Sequence, residues 1–394
     1  MNIDDGKNNE IKKKGIDCII DISSKKIIKC LSLIKQIKPI KIIGLRAERI
    51  GHLAANTDTF FRRLQLDNRK KHKIQYIGIT GETANKQLLK MYGRRIFLIQ
   101  NNLIHRFFRM SPILNNSEFY QYLPFTNKEY YEFNNTKSIV QFTPPEEETG
   151  KLLLKRLGIS KNSWFICFHS RDSRYLSKQE KIDCSYHDYR DCDINNYLKA
   201  AEYITTQGGY AVRMGHIISK KLSNLNNPRI IDYAFDYRTD FGDVYLPAKC
   251  KFFLGNTAGL FLVSTIFNVP VANANYIPFG YTPFRKGDLF IPKKIWSIKK
   301  NRFLTFREML RYHKYMRGEQ YTEAGLKPIE NSPQEILELA KEMNERLDGN
   351  FKTTKADEEL QQKFWSIFQP KDICYGSPAR IGTVFLRQNK KLLD

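Results

Sequence analysis

The 394-residue chain has no run approaching ~20 uninterrupted apolar residues, so no transmembrane helix is expected. Its opening, Met1-Asn2-Ile3-Asp4-Asp5-Gly6, lacks the apolar core of a signal peptide, and a cytoplasmic location is expected. Paired cysteines are missing too. The seven present (Cys18, Cys30, Cys167, Cys184, Cys192, Cys250, Cys374) are scattered, odd in number and never at CxxC spacing. That excludes a disulfide framework and a zinc site, and several thiols inside apolar runs read as small hydrophobes. There is no G-x-x-x-x-G-K-[ST] loop, no G-x-G-x-x-G after the first strand and no G-x-S-x-G elbow. These absences argue against kinases, P-loop ATPases, NAD enzymes and α/β-hydrolases. His105, His169, His187, His216 and His313 share no metal-ligand spacing. Asp191-Cys192-Asp193 spells D-x-D, but Asp193 stands just before a helical pattern and reads as its N-cap. No metal and no cofactor are expected.

Acidic residues are in deficit: 41 against 65 basic ones, for a net charge of +24. Such a charge suits a polyanionic neighbour, namely nucleic acid, a phosphorylated glycolipid or an anionic membrane face. It also fits a composition rich in Lys, Ile and Asn throughout, since no focused patch stands out. No nucleic-acid-binding motif is present, and no nucleic-acid partner is expected.

What the chain does have is alternation. Residues 1–15 are polar and expected to fray. Residues 23–38 read as a basic helix capped by Ser23 or Ser24, with Ile27, Leu31 and Ile34 on one face. Strand-like runs at 40–46, 73–80 and 95–99 alternate with helical patterns at 52–64, 82–92 and from an Asn101 cap through 108. After an irregular aromatic stretch, a helix opens at Pro144-Pro145-Glu146 and stops at Gly158. The alternation then restarts. Strands are expected at 164–169, 210–215 and 229–232, and helices at 194–206, 243–249, 333–347 and 358–368. Strands alternating with helices predict an α/β fold with parallel, doubly wound sheets. At this length two domains are expected, over 1–150 and 151–347, with a helical tail at 348–394 packing back on the first.

The most informative segment is Phe252-Phe253-Leu254-Gly255-Asn256-Thr257-Ala258-Gly259-Leu260, which reads as strand, glycine-framed turn and helix opening. Unpaired N–H groups at a helix start make an anion site. In a doubly wound sheet, ligands bind beyond the carboxyl ends of strands. Three such ends carry distinctive groups: His169 and Arg171, then Arg213 and Gly215, then Asn256, Thr257, Ala258 and Gly259. Two arginines and a helix opening would clamp a diphosphate. Asp243 could accept ribose hydroxyls or cap its helix. In the first half, Glu48, His52 and Asp58 follow the first strand, and a histidine there could act as general base on an acceptor hydroxyl.

The runs 169–172, 188–191 (Asp-Tyr-Arg-Asp), 210–215 and 252–259 together resemble a group of bacterial surface-carbohydrate glycosyltransferases, with Arg49-Ile50-Gly51-His52 matching in the first half. The 255–270 segment is distantly similar to the donor loop of lipopolysaccharide heptosyltransferases, although Asn256-Thr257-Ala258-Gly259 replaces their usual Asp-Thr-Gly. His169-Ser170-Arg171 is similar to the H-x-R element of fucosyltransferases that use GDP-fucose. The resemblance implies a GT-B architecture of two Rossmann-like domains around an interdomain cleft. It also implies a metal-independent transferase that moves a sugar from a nucleotide-sugar to a glycan or glycolipid acceptor; the net charge of +24 adds the expectation of peripheral contact at the anionic inner membrane. A nucleotide-sugar epimerase of the same fold and a non-catalytic basic protein binding anionic glycan or nucleic acid are the alternatives.

Overall fold

A computed structural model describes residues 4–67, 74–171, 185–216, 218, 221–222 and 226–394, with backbone alone at 4–16 and 185. The chain divides into two compact units, Met1–Pro124 and Phe125–Asp394.

In the first unit, β1 (Ile40–Gly44), β2 (Gln75–Thr80) and β3 (Phe97–Gln100) pair in parallel in that order. Helices Ile50–Leu66, Lys86–Gly93 and Asn102–Met110 follow them in turn. Side chains alternate across a strand with period two. Ile40, Ile42, Ile77, Ile79 and Ile99 therefore share one face, packed with Ile27, Ile28 and Leu31 of the first helix and with Phe108. Tyr76 lies on the other face, 5.1 Å edge-on from Phe60. The sheet is thus covered on both sides, as parallel sheets require. Asn101 caps its helix as expected, accepting from the N–H groups of Leu103 and Ile104.

The first helix departs from expectation. It runs unbroken over Asp4–Lys35, so Ser23 and Ser24 cap nothing. Ser24 is buried mid-helix, where its hydroxyl donates to the Ile20 carbonyl at 2.6 Å and pairs with the Ser111 hydroxyl at 2.7 Å.

The second unit is built on seven parallel strands. They are β4 (Phe165–Phe168), β5 (Tyr210–Arg213), β6 (Ile230–Ile231), β7 (Phe253–Gly255), β8 (Val271–Tyr276), β9 (Leu289–Pro292) and, after a small antiparallel sheet of β10 (Lys294–Ser297), β11 (Arg302–Phe303) and β12 (Leu326–Ile329), the edge strand β13 (Arg380–Ile381). The spatial order is β13-β9-β8-β7-β4-β5-β6. The first strand of the unit thus lies between its second and fourth, the 3-2-1-4-5-6 arrangement of doubly wound folds. Strands β4, β7, β8 and β9 are buried along their whole length, as expected for strands covered on both faces.

The boundary falls at 124/125, earlier than the expected 150, because the aromatic stretch between them packs on the second unit. Phe142 stacks on Phe267 at 5.3 Å, Phe133 lies 5.2 Å from Phe284, and the Tyr130 hydroxyl meets that of Thr282 at 3.0 Å. The tail also belongs to the second unit. β13 extends the large sheet beside β9, and Gln361 of helix Lys355–Trp365 donates to the Ile381 carbonyl at 2.6 Å. The helix expected to open at the Asn256–Gly259 turn starts only at Phe261 and is six residues long.

A candidate anion site at the sheet switch point

Sheets of this order form a crevice where strand connections diverge to opposite sides, here between the carboxyl ends of β4 and β7. The loop after β4 begins His169-Ser170-Arg171, and the loop after β7 is Asn256-Thr257-Ala258-Gly259. The structure therefore brings together the first and third of the three strand ends expected to form a site. Asn256 ties them. Its fully buried side chain accepts from the Arg171 N–H at 3.2 Å and donates to the Arg190 carbonyl and the Cys192 sulfur, both at 3.1 Å. An amide can do both at once, where a carboxylate could only accept.

Arg171 is the central cation. Its buried guanidinium donates through Nη1 to Asp191 and, at 3.0 Å, to the His187 carbonyl. The buried Nη2 has no hydrogen-bond partner among the described residues. Burial, helped by the neighbouring Arg190, pulls its pKa down to about 10, so it stays charged at neutral pH. Arg190 lies alongside, donating from Nε to the Thr257 carbonyl at 3.0 Å. Lys293, just past β9, is nearly fully buried and donates to the Asp191 carbonyl at 2.6 Å; burial lowers its pKa. Arg190 and Lys293 were missed as candidate site residues. Arg190 stood in the 188–191 run, but only topology brings it to the β7 loop, and Lys293 follows a strand not anticipated at all. Part of the polar loop after β4, residues 172–184, lies outside the described residues.

Several expected donor contacts have other partners. Arg213 is 4 % exposed and pairs with Asp232 at 3.1 Å, so its charge is neutralised inside the protein rather than offered to a phosphate. Asp243 is buried against Arg238 at 2.8 Å and the Tyr233 hydroxyl at 3.2 Å. Burial raises its pKa to about 7 against the pull of Arg238. It neither caps its helix nor reaches the surface. His169 bonds through Nδ1 to the Met214 carbonyl at 3.0 Å, joining the ends of β4 and β5. Gly215 serves packing, because a Cβ there would come within 2.9 Å of Ile218 and 3.3 Å of Ala234. The Thr257 hydroxyl accepts from the Ile277 N–H at 3.0 Å. Ala258 is buried, and Gly259 is half-buried.

Of the three candidate bases in the first unit, Asp58 is fully buried beside an equally buried Arg62, to which it is bonded. No acceptor hydroxyl can reach it, and its part is structural. Glu48 is half-exposed, 3.8 Å from Nε2 of His105 and 3.9 Å from Nη1 of Arg109. His52 is exposed at the start of helix Ile50–Leu66, with Nδ1 3.4 Å from the Asn56 side-chain oxygen. Packing of part of its ring, with the nearby Arg49 and Arg46, lowers its pKa and leaves the imidazole neutral at pH 7. Asp193 caps the turn at 194–197 by accepting from the Asn195 N–H at 2.9 Å, as expected. Among the described residues, no three His, Cys, Asp or Glu side chains converge as a metal-binding group.

No family model matches the chain, and no curated protein does. Its backbone is similar to those of several solved structures. The E. coli ADP-heptose lipopolysaccharide heptosyltransferase II is 12% identical, with TM-score 0.47 over 79% of this chain and 99% of the other. A glycosyl transferase family 9 protein from Veillonella parvula is 10% identical, with TM-score 0.39 over 60% of this chain and 80% of the other. The iron-containing dodecameric glycosyltransferase TibC from enterotoxigenic E. coli is 13% identical, with TM-score 0.33 over 63% of this chain and 62% of the other.

Proposed function

We propose that the protein is a glycosyltransferase of GT-B type, moving a sugar from a nucleotide-sugar to a surface-glycan or glycolipid acceptor on the cytoplasmic side of an anionic membrane. The observation that carries this reading is the buried Arg171 guanidinium at the switch point, with Nη2 unpartnered among the described residues. A desolvated planar cation with an unpartnered donor is suited to a phosphate oxygen. Beside it, Arg190 adds a second positive charge, while Asp191 offsets part of the first. In this reading the bond from the anomeric carbon to the diphosphate breaks as the acceptor oxygen attacks that carbon. The proton of the acceptor hydroxyl passes to a general base, for which the exposed imidazole of His52 is the candidate in the first unit. The arginines stabilise the charge that develops on the departing diphosphate, and such fixed charges act most strongly in a site that excludes water. The reading needs no metal ion.

Thermal unfolding with UDP, GDP, CMP, ADP and dTDP, each with and without EDTA, tests it. A nucleotide at about 100 times its dissociation constant adds about 2.7 kcal/mol of stability. One nucleotide should raise the melting temperature, insensitive to EDTA, and Arg171→Ala should weaken that nucleotide about 10–100-fold through loss of a charge-assisted hydrogen bond. No shift with any nucleotide, or a shift that Arg171→Ala leaves intact, would overturn the assignment. Salt-sensitive binding to polyanions without nucleotide preference would favour a non-catalytic binder instead.

A further inference from the structure

The first helix buries one apolar face and leaves large aliphatic side chains exposed along a second line. Ile20, Ser24, Ile27 and Leu31 lie within about 60° of one another around the helix axis, turned to the sheet. Ile19, Ile22, Lys26, Cys30 and Leu33 fall within about 80° on a second line, centred about 130° away, and all five are exposed or half-exposed. Ile19 is 66% exposed, Ile22 51% and Leu33 61%, and Ile37 in the turn that follows is 89% exposed. Large aliphatic side chains at these exposures along one line are not explained by packing within the unit. Their charge setting is mainly basic. Residues 22–41 carry six lysines and no acid, although Asp17 and Asp21 precede them; Lys26 lies on the line, with Lys25 and Lys29 at its edge. Lys35 faces elsewhere, bonded to Glu118.

We infer that this second stripe is a docking face for an anionic phospholipid surface. The line spans about 21 Å, with Ile19 and Ile22 at one end, Leu33 at the other and Lys26 and Cys30 between them. A helix lying in a membrane interface can use such a line, its aliphatic ends entering the acyl boundary while Lys26 and the flanking lysines meet phosphate head groups. A second copy of the chain is a poor occupant, since stripe against stripe sets lysines against lysines. The helix N-terminal to Ile19 extends the same rod back to Asp4. The inference is independent of donor chemistry, because vesicle binding reads this helix and nucleotide stabilisation reads the switch point.

The test is co-sedimentation of the full chain with phosphatidylcholine vesicles, with and without phosphatidylglycerol. The native chain should pellet with the anionic vesicles and much less with the neutral ones, and high salt should release it. Ile22→Asp with Leu33→Asp should lower partitioning at least tenfold while leaving the melting temperature unchanged, because both side chains are exposed. Lys25→Glu with Lys29→Glu should do the same in anionic vesicles alone. Failure of the native chain to pellet, or unchanged pelleting of the Ile22→Asp/Leu33→Asp variant, would overturn the inference. So would a native dimer in light scattering that this variant dissociates, which would assign the stripe to a second copy. If the vesicle arm succeeds while no nucleotide stabilises the protein, the docking face stands and the transferase reading falls.

Discussion

Arg171 and Arg213 look alike in sequence, each standing at or just past the end of a buried strand, yet only Arg171 keeps a nitrogen unpartnered among the described residues. The difference lies in strand register. Val212 pairs with Ile231, so the next rung sets Arg213 against Asp232, which also accepts from the Leu222 N–H at 2.8 Å. Arg213→Ala would strand that carboxylate in the interior and is expected to cost about 3–5 kcal/mol in denaturant unfolding, whereas replacing both partners with apolar residues should recover most of the loss. Asp243 offers a pH test. Its folded pKa of about 7 lies above the ordinary carboxylate value of 3.8, so the folded state holds a proton that the unfolded state has released between those values. Its contribution to stability is full below about pH 4 and is lost as pH rises through about 7, with a slope of at most about 1.4 kcal/mol per pH unit. Asp243→Asn should remove that component, seen as the difference between the two stability–pH curves from unfolding at several pH values.

At the element scale, the long βα alternation was readable because buried parallel strands and amphipathic helices leave different periods in the chain. Helix Pro333–Leu347 starts and stops where its Ser332 cap and its apolar spacing put it. The region 277–332 was not readable. Its strands are two to four residues long, and β10 to β12 form a small separate sheet, too short to show any period. The helix read as opening at the Asn256–Gly259 turn starts only at Phe261 and is six residues long, while Arg190, which tertiary structure brings beside Arg171, bonds to the Thr257 carbonyl of that turn. Gly150 illustrates the same override of local preference. It sits inside helix Pro144–Arg156, where alanine would ordinarily stabilise by about 1 kcal/mol. Here a Cβ would overlap the ring of Tyr245. Gly150→Ala should therefore lower stability by about 1–3 kcal/mol, read as a fall in melting temperature.

For the whole molecule, the candidate site divided into a legible part and a hidden part. Strand ends, and so His169, Arg171 and Asn256, were in reach of pattern reading. The partners that decide what each group can do were not, since Asp191, Arg190, Asp232 and Lys293 arrive through register and loop closure. The domain boundary follows the same rule. A fragment of residues 125–394 contains the aromatic stretch and the tail strand with the sheet they complete, and should fold alone and keep its nucleotide response. A fragment beginning at 151 loses Phe133 and Phe142 from their partners Phe284 and Phe267, and should show a broadened, lower thermal transition. Circular dichroism of the two fragments distinguishes the boundaries.

The hold of Asp191 on Arg171 has a kinetic side. The carboxylate occupies part of the guanidinium fork before any ligand arrives, acting as an internal counterion that keeps the cation in place. In the proposed reading an incoming phosphate meets Nη2 while Asp191 keeps its hold on Nη1. On that reading little of the arginine has to move when the ligand arrives, so the observed association rate should climb linearly with ligand concentration, and Asp191→Asn, by loosening the cation, should act on the dissociation rate.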